Sequence, residues 1–321
     1  MKNNTVKIDK NQDNFDFLGK FNDKKRKIEI FYEYVKKYKS EVMNMRISDC
    51  AGLIGFLKAK EGEKRRLGGG NFCNSRFCPV CDMRKARKDG YVLQFLLGYA
   101  RKVQKKELIF LTLTAPNVVK EKLKEEIEDF NKAFKRLSET KQFKAICKGY
   151  IRKLEVTYNE KEDTYHPHFH VVIAVNKSYF TDKNYYISQQ KWLDMWRKAK
   201  RNEKITQVDV RKAKMDTMQE VMELATYSAK SADVLHSEKV FDVFYENLKG
   251  KKLMVFNGLF KEILKAYKLG ELKEYEELDE TVYESLEWFK YFDKIGYEVF
   301  RIDEVSKERL EKLLIDEIDI D

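Results

Sequence analysis

Tyr165-His166-Pro167-His168-Phe169-His170-Val171-Val172-Ile173-Ala174-Val175 is the stretch that decides the fold. From Phe169 onward it is apolar and rich in β-branched residues, which predicts a buried strand. Side chains alternate along a strand, so His168 and His170 share one face while Phe169 points into the opposite layer. The chain of 321 residues has only four histidines, and three of them fall here. Two imidazoles on one face of a rigid strand form a ready pair of metal ligands. Upstream, 150–158 reads as a second strand and 159–164 as a polar turn, so a hairpin brings Glu155 beside the pair. A carboxylate among apolar neighbours is costly unless it binds something. His168, His170 and Glu155, with coordination positions left open, suit a catalytic divalent ion such as Mn²⁺ or Mg²⁺. The competing reading is a structural or adventitious histidine cluster. His166 precedes Pro167, is placed in the turn, and reads as a support or substrate contact rather than a ligand.

The five cysteines are Cys50, Cys73, Cys78, Cys81 and Cys147. An odd number without an apolar leader argues against a disulfide scaffold. Cys78-Pro79-Val80-Cys81 is a tight turn whose thiolates can share a tetrahedral Zn²⁺. Cys73 is close enough to join, and Cys50 is the natural fourth ligand of a closed structural site. A redox pair and a group of metal-free buried thiols are the alternatives. Cys147, after Ala145-Ile146, reads as a core residue.

Residues 215–231 have helical spacing. Val221, Leu224, Ala225 and Ser228 make one packing stripe, and Glu223, Tyr227 and Lys230 share another face. A tyrosine phenolate is a competent nucleophile on a phosphodiester. Its ordinary pKa near ~10 means it needs help, which Lys230 and a metal could supply. Glu223, one turn away, could direct water at the adduct. A tyrosine on an amphipathic helix is ordinarily a rim residue, so the nucleophile reading draws its weight from the histidine strand.

Charge points the same way. Lys and Arg outnumber Asp and Glu by 64 to 53, and the excess is uneven. From Glu271 to Asp321 there are 18 acidic and 7 basic residues, a net −11, which leaves +22 on residues 1–270. A body that basic is the footprint of a protein that handles a polyanion. No run approaches the ~18 apolar residues of a membrane helix. A soluble, intracellular protein is expected.

Taken in order, these motifs resemble a known family. A hydrophobic strand ending in Thr (Phe110-Leu111-Thr112-Leu113-Thr114), then His-hydrophobic-His, then a helix with Tyr three residues before Lys, is similar to the HUH endonucleases. More narrowly, the chain resembles the Rep-type rolling-circle replication initiators of plasmids from low-GC Gram-positive bacteria. The upstream Arg76–Cys81 block, His-Pro-His-Phe-His at 166–170 and Glu223 four residues before Tyr227 carry this narrower likeness. Residues 245–253 and 257–262 look like that group's C-terminal block, so the resemblance spans roughly Arg46 to Glu262. It implies recognition of a plasmid double-strand origin and nicking of one strand in a single-stranded site. Tyr227 would keep the 5′-phosphate and free a 3′-OH primer, and Glu223 would direct water at the terminating cleavage. Implied partners are the origin DNA, the host replicative helicase and a second copy in a homodimer, in a bacterial cytoplasm.

The expected fold is α+β: a central antiparallel sheet of the HUH nuclease type with helices on one face, a small zinc-bound cysteine subdomain and helical extensions. The expected divisions are a basic extension (1–45), a cysteine segment with its helix (46–103), the catalytic unit (104–235), the end of the family-like body (236–270) and an acidic helical tail (271–321). Rival functions are an HUH transposase or mobilisation relaxase, and a non-catalytic zinc-containing DNA-binding protein.

Overall fold

A computed structural model describes residues 16–213, 224–225, 231–276, 281–306, 308–310 and 313. The chain forms two compact units, one from residues 1–81 with 281–315 and the other from 82–280 with 316–321.

The first unit is built on a four-stranded antiparallel sheet of order β2-β1-β8-β9, with β1 Leu53–Ala59, β2 Arg65–Gly70, β8 Tyr283–Phe292 and β9 Gly296–Glu304. Helices α1 (Asp16–Val35) and α2 (Glu41–Ser48) precede it. Leu18, Phe21, Ile28, Phe31 and Val35 recur at helical spacing along α1 and are all buried. Phe21 meets Phe56 edge-on at 5.6 Å, and Phe56 meets Phe289 at 6.0 Å. Such pairs contribute roughly 0.5–1.5 kcal/mol each beyond the area they bury.

Two expectations are corrected here. The acidic segment is not helical: residues 283–304 are a hairpin paired to β1, with Leu57 opposite Leu286. Its Tyr, Trp, Phe, Val and Ile content favours the pleated sheet, and Lys294 (φ 65°) and Gly296 (φ 101°) make the reversal. Glu284, Asp293, Glu298 and Glu304 are exposed, while Glu287 is buried against Arg65 at 2.8 Å, so the acidic count misled. The N-terminal stretch is likewise no appendage, since α1 closes the core of this same unit.

The second unit carries a five-stranded antiparallel sheet of order β6-β3-β5-β4-β7. Its strands are β3 Glu107–Leu113, β4 Cys147–Asn159, β5 Thr164–Val175, β6 Val208–Lys212 and β7 Met254–Gly258. The expected β4–β5 hairpin is present, with Asp163 at φ 48° in its turn. Helices α4 (Lys120–Ser138), α5 (Lys141–Ile146) and α7 (Gln189–Lys200) cover the face that carries Phe169. Phe130 and Phe134 meet Phe169 at 5.3 and 5.8 Å, and Trp196 meets Phe130 at a tilt with centroids 5.6 Å apart.

Helices on a single face were expected, and this too is corrected. On the other face Phe110, Ile151, Val172 and Ala174 are buried beneath Leu93 and Leu96 of α3 (Pro79–Lys102) and Phe260 and Ile263 of α10 (Leu259–Lys268). The physical reason is visible in β5, where every residue from Pro167 to Val175 is buried, so both faces need cover. Between α7 and α10 lie the short α8 (Ser231–Val234) and α9 (Glu238–Leu248), and α6 (Ser178–Thr181) follows β5. Among the described residues no helix is long and apolar enough to cross a membrane.

One ion pair beneath α7 yields a stability test. Lys200, only 5% exposed, sets its ammonium 2.7 Å from Glu126, beside Asp129 and over the Phe130 ring. Burial pushes the Asp129 carboxyl up, but Lys200 and then Arg136 outweigh it and hold it below the usual range. The double variant Glu126→Gln/Asp129→Asn strands a buried charge and is expected to cost about 2–3 kcal/mol. That lies below the full cost of breaking a buried pair because both carboxylates are partly exposed. Lys200→Met is expected within about 1 kcal/mol of wild type in the same urea melts. Because Asp129 is depressed, its contribution is full above about pH 4 and fades as the pH falls.

Candidate functional site

In β4 and β5 the antiparallel register sets Glu155 opposite His168 and Lys153 opposite His170, while Thr112 of β3 faces His170 from the other side. Directly opposed residues share a face, so one patch of sheet gathers these side chains. His170 Nε2 lies 3.1 Å and His168 Nε2 3.6 Å from the same Glu155 Oε2. All three residues are buried, at 7–9% exposure. His168 Nδ1–H donates to the His166 carbonyl oxygen at 3.2 Å, leaving its Nε2 as a bare ligand nitrogen. Thr112 Oγ1 stands 3.4 Å from His170 Nδ1 and orients that ring in the same way.

Burial pushes the Glu155 carboxyl up, but its polar contacts with the His168 and His170 rings outweigh that and hold it well below the carboxylate range. Lys153, 2% exposed on the same face, adds to that pull. Neighbouring ligands of a six-coordinate ion with bonds of about 2.1 Å stand roughly 3.0 Å apart; the 3.1 Å separation is close to that and the 3.6 Å one somewhat wider. The three donors come from one side only, so such an ion keeps positions for a substrate oxygen.

His166 is in β5 rather than in the preceding turn, and it shares the face of the other two histidines. Its ring stacks on His168 with centroids 5.2 Å apart. Burial, then the neighbouring His168, lowers its pKa. Lys153 and Thr112 went unassigned in the sequence. The signal that finds them is register, because each is directly opposite His170.

The helix expected to bear Glu223, Tyr227 and Lys230 falls outside the described residues at those three positions. Its neighbours Leu224 and Ala225 are helical and buried in the cluster on the histidine face of the sheet.

The cysteines form a second donor group, within the first unit. Cys50 Sγ lies 3.6 Å from both Cys78 and Cys81, and Cys73 lies 3.7 Å from Cys81. A tetrahedral Zn²⁺ with bonds of about 2.3 Å requires sulfur edges near 3.8 Å, close to these three separations, and all four sulfurs lie within 4.8 Å of one another. Pro79 is the first residue of α3, a position where its missing N–H costs nothing. Cys81 therefore sits in the first turn of a helix, whose N-terminus favours thiolate. Hydrogen bonds from Cys50, then Cys73 and Cys78, hold the Cys81 thiol well below its ordinary value. Lys25 of α1, absent from the sequence reading, donates to the carbonyls of Cys50 (2.9 Å) and Ser48 (3.2 Å). Its ammonium offsets the charge of a thiolate cluster. Cys147 stands apart, and burial pushes its thiol up to about 11.

Residues 64–296 match the family model described as "Replication protein". A "Protein rep" of Staphylococcus aureus is 47% identical over 218 residues, covering 68% of this chain and 95% of that protein. Similar proteins of the same name occur in Bacillus amyloliquefaciens (34% identical, 70% of this chain and 73% of the relative) and Streptococcus pneumoniae (33%, 73% and 74%). No solved structure matches the chain. With the matched region taking in Glu155, His168 and His170 and three of the four clustered cysteines, the chain belongs to the replication protein family.

Proposed function

We propose that the protein initiates plasmid rolling-circle replication by nicking one strand of the origin through an HUH-type site. The observation that carries this reading is the gathering of His168, His170 and Glu155 on one sheet face, within a chain of the replication protein family. Glu155 and the two Nε2 atoms would hold Mn²⁺ or Mg²⁺, which when bound polarises the scissile phosphate. Tyr227 Oη then bonds to phosphorus as the P–O3′ bond breaks. The phenolic proton passes to solvent, the leaving 3′ oxygen ends as a hydroxyl, and the 5′-phosphate stays on tyrosine. Lys230 and Lys153 supply positive charge to the phosphate oxygens. Glu223 directs water at the second cleavage, which ends the round. Zn²⁺ in the four-cysteine site is structural and has no open position.

The working protein is expected in the bacterial cytoplasm, with origin DNA, the host helicase and a second copy of itself as partners. Supercoiled DNA bearing the protein's own origin, incubated with Mn²⁺, tests the reading. Nicked circles are expected with wild type, and none with a chelator. Glu223→Gln should still nick once but fail to release itself from the strand. Tight origin binding without any nick would favour a non-catalytic DNA-binding protein.

A further inference from the structure

At the end of the second unit's sheet away from the histidines lies an open groove of about 760 Å³. It is bounded by the outer side of α3, the connection into β3 and Tyr275. Thr112 stands beside His170 and Glu107 lines the groove, five residues earlier on the same strand. At about 3.3–3.4 Å per residue the two places are roughly 17 Å apart. Among the described residues that line the groove, five are lysine or arginine and four are aromatic. The single acid, Glu107, is ion-paired with Lys212 at 2.9 Å.

The aromatic rings form a connected surface. Phe95 and Tyr99 stack along α3, and Tyr275 meets Tyr99 edge-on at 5.2 Å. Tyr91 and Tyr275 are 53% and 46% exposed, an unusual state for large rings beside a basic rim. Lys102, Lys105 and Lys177 are exposed on that rim. Gly98 lies in the middle of the α3 wall, and open space lies ahead of where its Cβ would be. A helix interior disfavours glycine, so its absent side chain here keeps the groove clear.

We infer that this groove binds single-stranded DNA, with bases stacked on Tyr91, Tyr99 and Tyr275 and phosphates held by Lys102, Lys105 and Lys177. Exposed rings alternating with cations suit unpaired bases, whose faces are free, and are wasted on a duplex, whose faces are not. The inference rests on the nicking proposed above, which supplies an unpaired strand close to the sheet.

Fluorescence anisotropy of the full chain with a labelled 20-nucleotide oligo(dT) and a 20-base-pair duplex tests it. Tyr275→Ala and Gly98→Leu are each expected to weaken oligo(dT) binding roughly tenfold. Lys102→Glu/Lys105→Glu should weaken it further and reduce the slope of log Kd on log salt by about 1.4. Lys122→Glu/Lys132→Glu, an equal charge change on exposed positions of α4, should shift it no more than about threefold. Duplex affinity should move less than oligo(dT) affinity in the two uncharged variants. Gly98→Leu replaces a poor helix former at an open position, so its Tm should not fall and its result bears on the groove itself. Oligo(dT) affinity within twofold of wild type in all three groove variants overturns the inference, as does an equal loss in the α4 control. Tyr227→Phe run alongside separates the two readings. Unchanged binding in the groove variants overturns the groove alone, whereas nicking by Tyr227→Phe overturns the proposed function alone.

Discussion

Glu155→Ala is expected to lower Mn²⁺-dependent nicking of origin DNA by roughly a thousandfold, because a metal ligand stabilises the transition state by several kcal/mol. The geometry explains why the loss should be so large. One carboxylate oxygen faces both imidazole Nε2 atoms, at 3.1 and 3.6 Å, so removing it opens the only anionic position of the triad. Two neutral imidazoles then remain to hold a divalent cation. Origin DNA binding in gel shifts should change little, since phosphate contacts dominate affinity. Glu155→Asp should recover part of the activity at raised Mn²⁺, because the charge is kept and the reach is shortened. The pH dependence has a definite sign. With the folded carboxyl held below its usual value near ~4.3, Glu155 contributes stability above that pH, and the contribution is lost as the pH falls below it. Equal nicking by wild type and Glu155→Ala at every Mn²⁺ concentration would remove Glu155 from the metal site.

Cys81→Ser is expected to have the second largest effect. Elemental analysis of the purified wild-type chain should give one Zn²⁺ per chain, and the variant close to none. Structural zinc sites release on the order of 10 kcal/mol on binding, so a three-thiol remnant is expected to lose several kcal/mol and well over 10 °C in Tm. The change should appear first in the unit of residues 1–81 and 281–315, where Trp288 is a fluorescence reporter. Lys25→Met should retain zinc but bind it more weakly, since the ammonium beside Cys50 is gone. A metal-free wild type with an unaltered melt would return these thiols to the status of ordinary core residues.

The donor groups were legible in the sequence for a simple reason. His168, Phe169 and His170 belong to a strand whose period of two can be read without any partner, and the hairpin turn after Asn159 fixes Glu155 opposite. Cys78 to Cys81 is likewise a local turn, and Cys50 and Cys73 bring their sulfurs to within 3.6 and 3.7 Å of it. What escaped depends on long-range pairing. Nothing local in 283–304 says that it pairs with β1, more than two hundred residues earlier. Its many carboxylates suggested a solvated helix, whereas alternating aromatic and apolar residues built a hairpin. Lys25 is invisible for the same reason, since only the packing of α1 brings it to Cys50. Helices on both sides of the second sheet could have been inferred from the unbroken burial of β5, which the sequence shows as an apolar run without polar alternation. Glu223, Tyr227 and Lys230 remain the part of the proposed site argued from helical spacing and family likeness. Of the residues around them, Leu224 and Ala225 are buried in the cluster on the histidine face of the sheet.

Isolation of the protein–DNA adduct is the most direct measurement. The full chain, Mn²⁺ and a single-stranded oligonucleotide spanning the nick site would be quenched in SDS, digested with protease and examined by mass spectrometry. The account predicts an SDS-resistant adduct in which the peptide containing Tyr227 carries the 5′-phosphorylated fragment, with a free 3′-OH on the other product. It predicts none with Tyr227→Phe or with a chelator. A nucleotide on any other residue, or cleavage to a 3′-phosphate with no adduct, would contradict it.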